Sequence, residues 1–338
     1  MPGARRLDGS VVELEDGIRR VTFPLPFGID HVHCYFVPLS TGGFMLLDTG
    51  LGVPAAAARW QPLLDELDGA LERVVITHFH PDHVGGAADV AALTGAPVLQ
   101  GRLDYEQCLR VWGDGRSAGQ LAEHLRLHGM PAEAVERSSS SGGISELVHF
   151  ARDPEPLDPG KRIDGWEILS LPGHADGHIG LLRDGVLLAG DAILRAISPT
   201  VGLYPGGRPD PLDDYLASLE RVVELAPRIA FGGHGDPVTD PVGRARELIE
   251  HHRERLAQAA AALDGEPLSA YAVSLALWKQ ELSLAERRFA LAESLAHLER
   301  LVRDGRAERV GAGDERRYRS ASTGVRSCNG AAVLENKT

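Results

Sequence analysis

Thr77-His78-Phe79-His80-Pro81-Asp82-His83-Val84-Gly85-Gly86 places three histidines and an aspartate in the pattern H-x-H-x-D-H. Directly upstream, Leu71 to Ile76 reads as a short buried strand, with Val74, Val75 and Ile76 as its apolar run. A strand that ends in a tight polar loop holds side chains at fixed angles, which metal coordination requires. Imidazole and carboxylate suit zinc and other borderline first-row ions. The glycine pair that follows lets the backbone pack closely before a helix begins.

Working outward, the chain has 338 residues, enough for roughly two domains. Hydrophobic residues make up 43% and charged residues 25%, ordinary values for a globular protein. A formal net charge of -13 argues against a polyanion as main partner. Met1 to Gly17 lacks the apolar segment of a secretory signal, and no stretch reaches the ~20 apolar residues of a membrane span. Cys34, Cys108 and Cys328 stand far apart, which gives neither a disulfide framework nor a thiolate metal site. A cytoplasmic protein without a membrane partner is expected.

Upstream of the histidine loop, Val11 to Phe23 and Val32 to Asp48 read as two β-hairpins. The second ends at Asp48-Thr49-Gly50, where the aspartate either orients ligands or caps an Asx-turn. His31 and His33 share a strand face, and structural or rim roles are favoured for both. Pro54 to Leu67 is helical, Gly86 to Leu93 is a short helix, and Pro97-Val98-Leu99 starts another strand. The alternation points to an α/β layered sheet.

From about 102 to 159 the pattern changes to helices around Tyr105–Val111 and Gly119–His128, with a flexible Ser138–Gly143 stretch. This reads as an insertion over an active site, a lid or a substrate-shaping element. His124 and His128 fall at i, i+4, for which a solvated helix face is the favoured reading over a metal pair. Strands resume at Arg162 to Leu171 and lead into Pro172-Gly173-His174-Ala175-Asp176-Gly177-His178. A hairpin turned by Asp184-Gly185 ends at Gly190-Asp191, and a strand at Ile229 to Gly232 delivers Gly233-His234-Gly235. Helices are expected at Asp210–Leu225 and from Pro241 to about Leu263. After Gly265-Glu266-Pro267, two helices, the second capped by Ser283 and Glu286, precede a short β-ribbon, which suggests a winged-helix module. The boundaries are 1–263 for a catalytic domain, 264–320 for the winged-helix-like domain and 321–338 for a disordered tail.

The strand ends thus supply His78, His80, Asp82, His83, His174, Asp191 and His234, five histidines and two carboxylates. That set is enough for two adjacent ions. One would take three neutral imidazoles, the other two imidazoles with an aspartate, and the second carboxylate would bridge them. The motif order, counted from Asp48-Thr49-Gly50 and spanning roughly residues 10 to 263, resembles the metallo-β-lactamase-fold hydrolase superfamily. The resemblance implies a four-layer αββα sandwich. It also implies a first metal on His78, His80 and His174, a second on Asp82, His83 and His234, and Asp191 as the bridge. Two zinc ions are implied, with iron or manganese as alternatives. The helix containing His251-His252-Arg253, with the C-terminal module, is similar to the subgroup that includes endoribonucleases and polyketide-pathway thioesterases. Lactonases of the superfamily carry a tyrosine three residues after the bridging aspartate, where this chain has Leu194.

Two divalent ions would acidify a shared water so that a bridging hydroxide exists near neutrality. Asp82 can act as ligand and proton acceptor, while His178 is a candidate proton donor or a prop for the site. The expected function is hydrolysis of a carboxylic thioester, ester or lactone, with a small acyl substrate as partner. The alternative is a metal-dependent endoribonuclease or phosphodiesterase, which the arginines at 303, 306, 309, 316, 317 and 319 would serve. Packing or homodimerisation is the favoured role of the C-terminal module. Substrate-pocket candidates lie in the helical insertion, at Tyr204 and around Tyr215.

Overall fold

The computed structural model describes residues 11–26, 28–113, 117–140, 143–311 and 315–321. Positions 141–142 of the serine-rich stretch, Cys328 and the proposed tail beyond 321 lie outside them. The first sheet has seven strands in chain order: β1 (Val11–Glu13), β2 (Arg19–Pro24), β3 (His31–Pro38), β4 (Phe44–Leu47), β5 (Leu71–Ile76), β6 (Val98–Gln100) and β7 (Glu155–Pro156). It is antiparallel through β4 and parallel from β4 onward. The second sheet contains β8 (Arg162–Ile163), β9 (Trp166–Ser170), β10 (Ile179–Arg183), β11 (Val186–Gly190) and β12 (Ile229–Gly232). Asp184 and Gly185 turn β10 into β11 with φ of 51° and 78°. Two positive φ values in a two-residue loop match the strand twist, which is why Asp-Gly marks this hairpin.

Side-chain alternation builds the layers. On β4, Met45 and Leu47 face the second sheet, where they meet Trp166, Ile168, Leu181 and Phe231. Phe44 and Leu46 face the opposite way, toward α1 (Pro54–Asp65), α2 (Pro81–Val84) and α3 (Ala87–Thr94), which contribute Trp60, Val84 and Val90. A strand with both faces buried reads as a continuous apolar run, as Phe44 to Leu47 does. Beyond the second sheet, Leu169, Leu187 and Ala230 pack on later helices. The result is the αββα sandwich expected from the motif order.

The insertion comprises α4 (Arg102–Cys108), a π-helical turn at 109–113, α5 (Ser117–Leu127) and α6 (Ala132–Ser140). It returns to the first sheet through β7. Over the outer face of the second sheet lie α7 (Pro211–Leu225) and α8 (Pro241–Ala262). The N-cap aspartates Asp210 and Asp240 accept from Asp213 N and Gly243 N respectively. These bonds satisfy otherwise orphaned helix-end donors.

The C-terminal segment contains β13 (Leu268–Ser269), α9 (Ala270–Leu277), α10 (Leu284–Arg303), β14 (Ala307–Val310) and β15 (Arg317–Ser320). Ser283 and Glu286 form the capping box of α10. The three strands pair in the order β13-β15-β14. Val273, Leu295, Leu298, Leu301 and Tyr318 enter the same core as Leu219, Leu248 and Leu256 of α7 and α8. Burial of each such side chain contributes about 1.5–3 kcal/mol, so five together match the ~5–15 kcal/mol stability of a typical domain. A chain ending at Leu263 is therefore expected to aggregate on expression. A soluble truncated protein with an unchanged melting temperature would show that the core is not shared.

Candidate metal centre

Every proposed ligand leaves a strand end or the loop after it. β5 runs into Thr77 and His78, and Pro81 at the start of α2 turns Asp82 and His83 back toward the sheet. β9 leads into His174, β11 into Asp191 and β12 into His234. The folded chain brings these seven residues together. His78, His80 and His174 have ligand atoms within 4.8 Å of one another, as do Asp82, His83 and His234, and as do His78, His83 and Asp191. Asp191 spans both triads: its Oδ1 is 3.6 Å from His83 Nε2, and its Oδ2 is 3.6 Å from His174 Nε2 and 3.2 Å from His234 Nε2. Asp82 Oδ2 lies 3.5 Å from His234 Nε2 and 3.9 Å from His83 Nε2.

The outer hydrogen bonds fix which ring nitrogen faces inward. His83 Nδ1 donates to Asp48 Oδ2 at 2.8 Å, His174 Nδ1 to the Thr200 carbonyl at 2.8 Å, and His234 Nδ1 to the His31 carbonyl at 2.6 Å. Thr77 Oγ1 donates to Asp48 Oδ2, so its oxygen accepts from His78 Nδ1 at 3.0 Å. With Nδ1 protonated, each Nε2 presents a lone pair. The Nε2 atoms of His78, His83 and His174, and Asp191 Oδ1, are buried without a hydrogen-bond partner. Orphaned acceptors at this density are costly unless a cation satisfies them. The residues present fit divalent metal ions.

The charges agree. Burial, with the neighbouring histidines, holds His78 and His80 well below the ordinary imidazole range. Burial also lowers His174. Against the same burial penalty, Asp191, Asp48 and Asp82 raise His83, and Asp191 with Asp82 raises His234. Asp191 is held well below its usual range, because His234 and His83 outweigh its burial. Three carboxylates converge on the site and attract positive charge, as protons or as metal ions.

Asp48 takes the ligand-orienting role of its two readings: its Oδ1 also accepts the Thr77 backbone N–H at 2.8 Å, from a left-handed φ of 59°. His31 and His33 brace the His234 loop. His31 Nε2 accepts from Gly235 N, and His33 Nε2 donates to the Gly235 carbonyl, both at 2.9 Å. His178 has the geometry of its propping reading. It is fully buried, and its Nε2 accepts the Asp191 backbone N–H at 3.0 Å, so it props the loop that carries Asp191.

Two expectations need correction, one for a pocket residue and one for a solvated helix face. Tyr215 is fully buried and donates to the Ala192 carbonyl, which makes it a packing residue. His128 is buried rather than solvated, because α5 and α6 pack through Leu125 and Val135 on Leu291 of α10. The insertion also carries two residues that sequence reasoning missed. Asp104 Oδ1 accepts from Phe79 N at 2.9 Å, between His78 and His80, and Gln107 Oε1 accepts from Asp176 N at 3.2 Å. Helix α4 therefore ties down both histidine loops. The only signal was a polar i, i+3 pair on a helix beside the metal motif.

Comparison with known proteins gives two family-model matches: the metallo-beta-lactamase superfamily over residues 27–234, and the metallo-beta-lactamase-like C-terminal domain over residues 256–321. A solved metallo-beta-lactamase family protein from Thermus thermophilus is 36% identical, with a TM-score of 0.78 over 90% of this chain and 98% of that one. "Probable metallo-hydrolase YqjP" of Bacillus subtilis is 29% identical, covering 82% of this chain and 90% of that protein. The "Atrochrysone carboxyl ACP thioesterase" of Emericella nidulans is 24% identical over 62% of this chain and 53% of its own length.

Asp48 binds through His83 and Thr77, so its loss should act on affinity. Removing such a partner typically weakens metal binding about 10–100-fold. Asp48→Asn is expected to lower zinc affinity by that factor in chelator competition. Affinity within about twofold of wild type would remove Asp48 from the orienting role.

Proposed function

The chain belongs to the metallo-beta-lactamase superfamily, and on that premise we propose that it is a two-cation hydrolase of carboxylic thioesters, esters or lactones. The observation that carries this reading is the convergence of seven ligand side chains on one buried, carboxylate-rich centre. His78, His80 and His174 would hold one ion, and Asp82, His83 and His234 the other, with the Asp191 carboxylate between them. Zinc fits the donor set, as do iron and manganese; two such ions would supply Lewis acidity, acidifying water and polarising the acyl oxygen.

The chain's own residues do the rest. Asp82 is the partly exposed carboxylate of the centre, so it accepts the proton of the attacking water and passes it to the leaving group. His178, whose Nε2 accepts from Asp191 N, keeps the bridge carboxylate in place. Asp48, through Thr77 and His83, keeps the imidazole lone pairs aimed inward.

Charge pairing favours an acyl substrate over RNA. Of the arginines around the β14–β15 ribbon, Arg303 pairs with Asp210, Arg309 with Glu299, Arg317 with Glu315 and Arg319 with Glu308. Arginines neutralised by carboxylates make a poor phosphate track. We read α9, α10 and this ribbon as a winged-helix-like module whose role is packing. Among acyl substrates, the thioesterase relative favours a thioester. Leu194, where superfamily lactonases have a tyrosine, is buried, which disfavours a homoserine lactone.

The test is a substrate panel on zinc-loaded protein: a medium-chain acyl-CoA, a simple aryl ester, a γ-lactone and single-stranded RNA. Acyl hydrolysis that stops on chelation and returns with zinc is expected, with RNA left intact. Cleavage of RNA without acyl hydrolysis would establish the nuclease alternative instead.

A further inference from the structure

Outside the seven-residue centre, one further cluster of ligand-grade side chains is buried among the described residues. His252 on α8, with Glu293 and His297 on α10, offers one ligand atom each, all within 4.8 Å of one another. His252 and His297 have no exposed surface, and Glu293 is 9% exposed. Tyr215 separates this cluster from the main centre. Its backbone packs against Gly173, beside His174, and its ring meets His252 edge-on at 5.3 Å between centroids.

The hydrogen bonds leave this cluster incomplete. His297 Nδ1 donates to the Glu293 carbonyl one turn earlier at 2.7 Å, so its Nε2 carries a lone pair, which accepts a long hydrogen bond from His252 Nδ1 at 3.3 Å. His252 Nε2 is buried without a hydrogen-bond partner. The Glu293 carboxylate has no ion-pair partner among the described residues. Burial pushes its pKa up to about 7, and burial brings His252 down to about 2 and His297 to about 4. A buried carboxylate with no contact ion pair, offset only in part by the charge of Arg255, is costly beside imidazoles that stay neutral in a metal-free chain. The same three groups satisfy a divalent cation, which needs an anionic oxygen and unprotonated nitrogens.

We propose that His252, Glu293 and His297 form a third divalent-cation site, which clips α10 of the C-terminal segment to α8. Two imidazoles and one carboxylate suit zinc or a neighbouring first-row ion, with one position left for water. The site does not depend on the hydrolase reading, since none of its ligands belongs to the main centre. It also gives a use to the His251-His252-Arg253 motif, which the hydrolytic site leaves unexplained.

Native mass spectrometry of the zinc-loaded full chain tests the proposal by counting ions in wild type, Glu293→Gln and His252→Gln. Each variant is expected to carry one ion fewer than wild type, whatever the wild-type total. Equal counts overturn the site. Melting curves give a second readout. Glu293→Gln removes a buried charge, so the metal-free variant should melt at or above metal-free wild type and gain less on zinc addition. Identical zinc-induced shifts in the two proteins count against the clip. Should both variants fail to fold, anomalous diffraction at the zinc edge from wild-type crystals decides the matter. A peak among the three side chains supports the site, and a map without one overturns it.

Discussion

The centre depends on where four imidazoles keep their protons. His78, His83, His174 and His234 each have Nδ1 engaged on the outer side, by Thr77, Asp48, Thr200 and His31. A ring whose Nδ1–H is spent can offer only the Nε2 lone pair inward. Asp48 carries the largest share, since one carboxylate receives Thr77 N, Thr77 Oγ1 and His83 Nδ1. Such outer partners both orient a ligand and raise its basicity. Without them these four histidines would sample both tautomers, and a preorganised cation site would be lost.

That arrangement forces close packing around it. Gly173 adopts a φ of 125°, and a Cβ there would come within 2.6 Å of the Tyr215 backbone nitrogen. The loop carrying His174 thus lies directly on α7, with no room for a side chain between. Helix α4 closes on the centre from the opposite direction, with Asp104 on the Phe79 amide and Gln107 on the Asp176 amide. Helix α10 then supports the insertion through Leu291 and the outer helices through Leu295 and Leu298. Rigid elements on several sides hold the ligand loops, as precise ligation demands.

How much of this could be read from the sequence follows from distance along the chain. The H-x-H-x-D-H loop is local, so its meaning survives without a fold. Asp184-Gly185 and the Ser283–Glu286 capping box are equally local, and both form as expected. His124 and His128 show the limit. Their i, i+4 spacing puts them on one helix face, but only the packing of α5 on a helix more than 150 residues later shows that the face is inward. Tyr215 fails as a pocket residue for the same reason, its hydroxyl being claimed by Ala192. Asp104 and Gln107 bond to backbone amides of remote loops, and no residue pattern advertises an amide.

Asp82 stands where the whole account can be broken by one atom. It lies between two ligand histidines, near His83 and His234, and is the carboxylate assigned to take the proton. Asp82→Asn keeps its size and one oxygen but removes its charge and its basicity. The decisive measurement is turnover of this variant on the acyl substrate, with metal content read on the same sample. General-base assistance is typically worth about 10²–10⁴-fold, so a fall of that size or more is predicted, with the fold intact and the ion at His78, His80 and His174 retained. Wild-type turnover in Asp82→Asn, alongside its loss in His78→Ala, would contradict the two-cation mechanism and place the chemistry at a single ion.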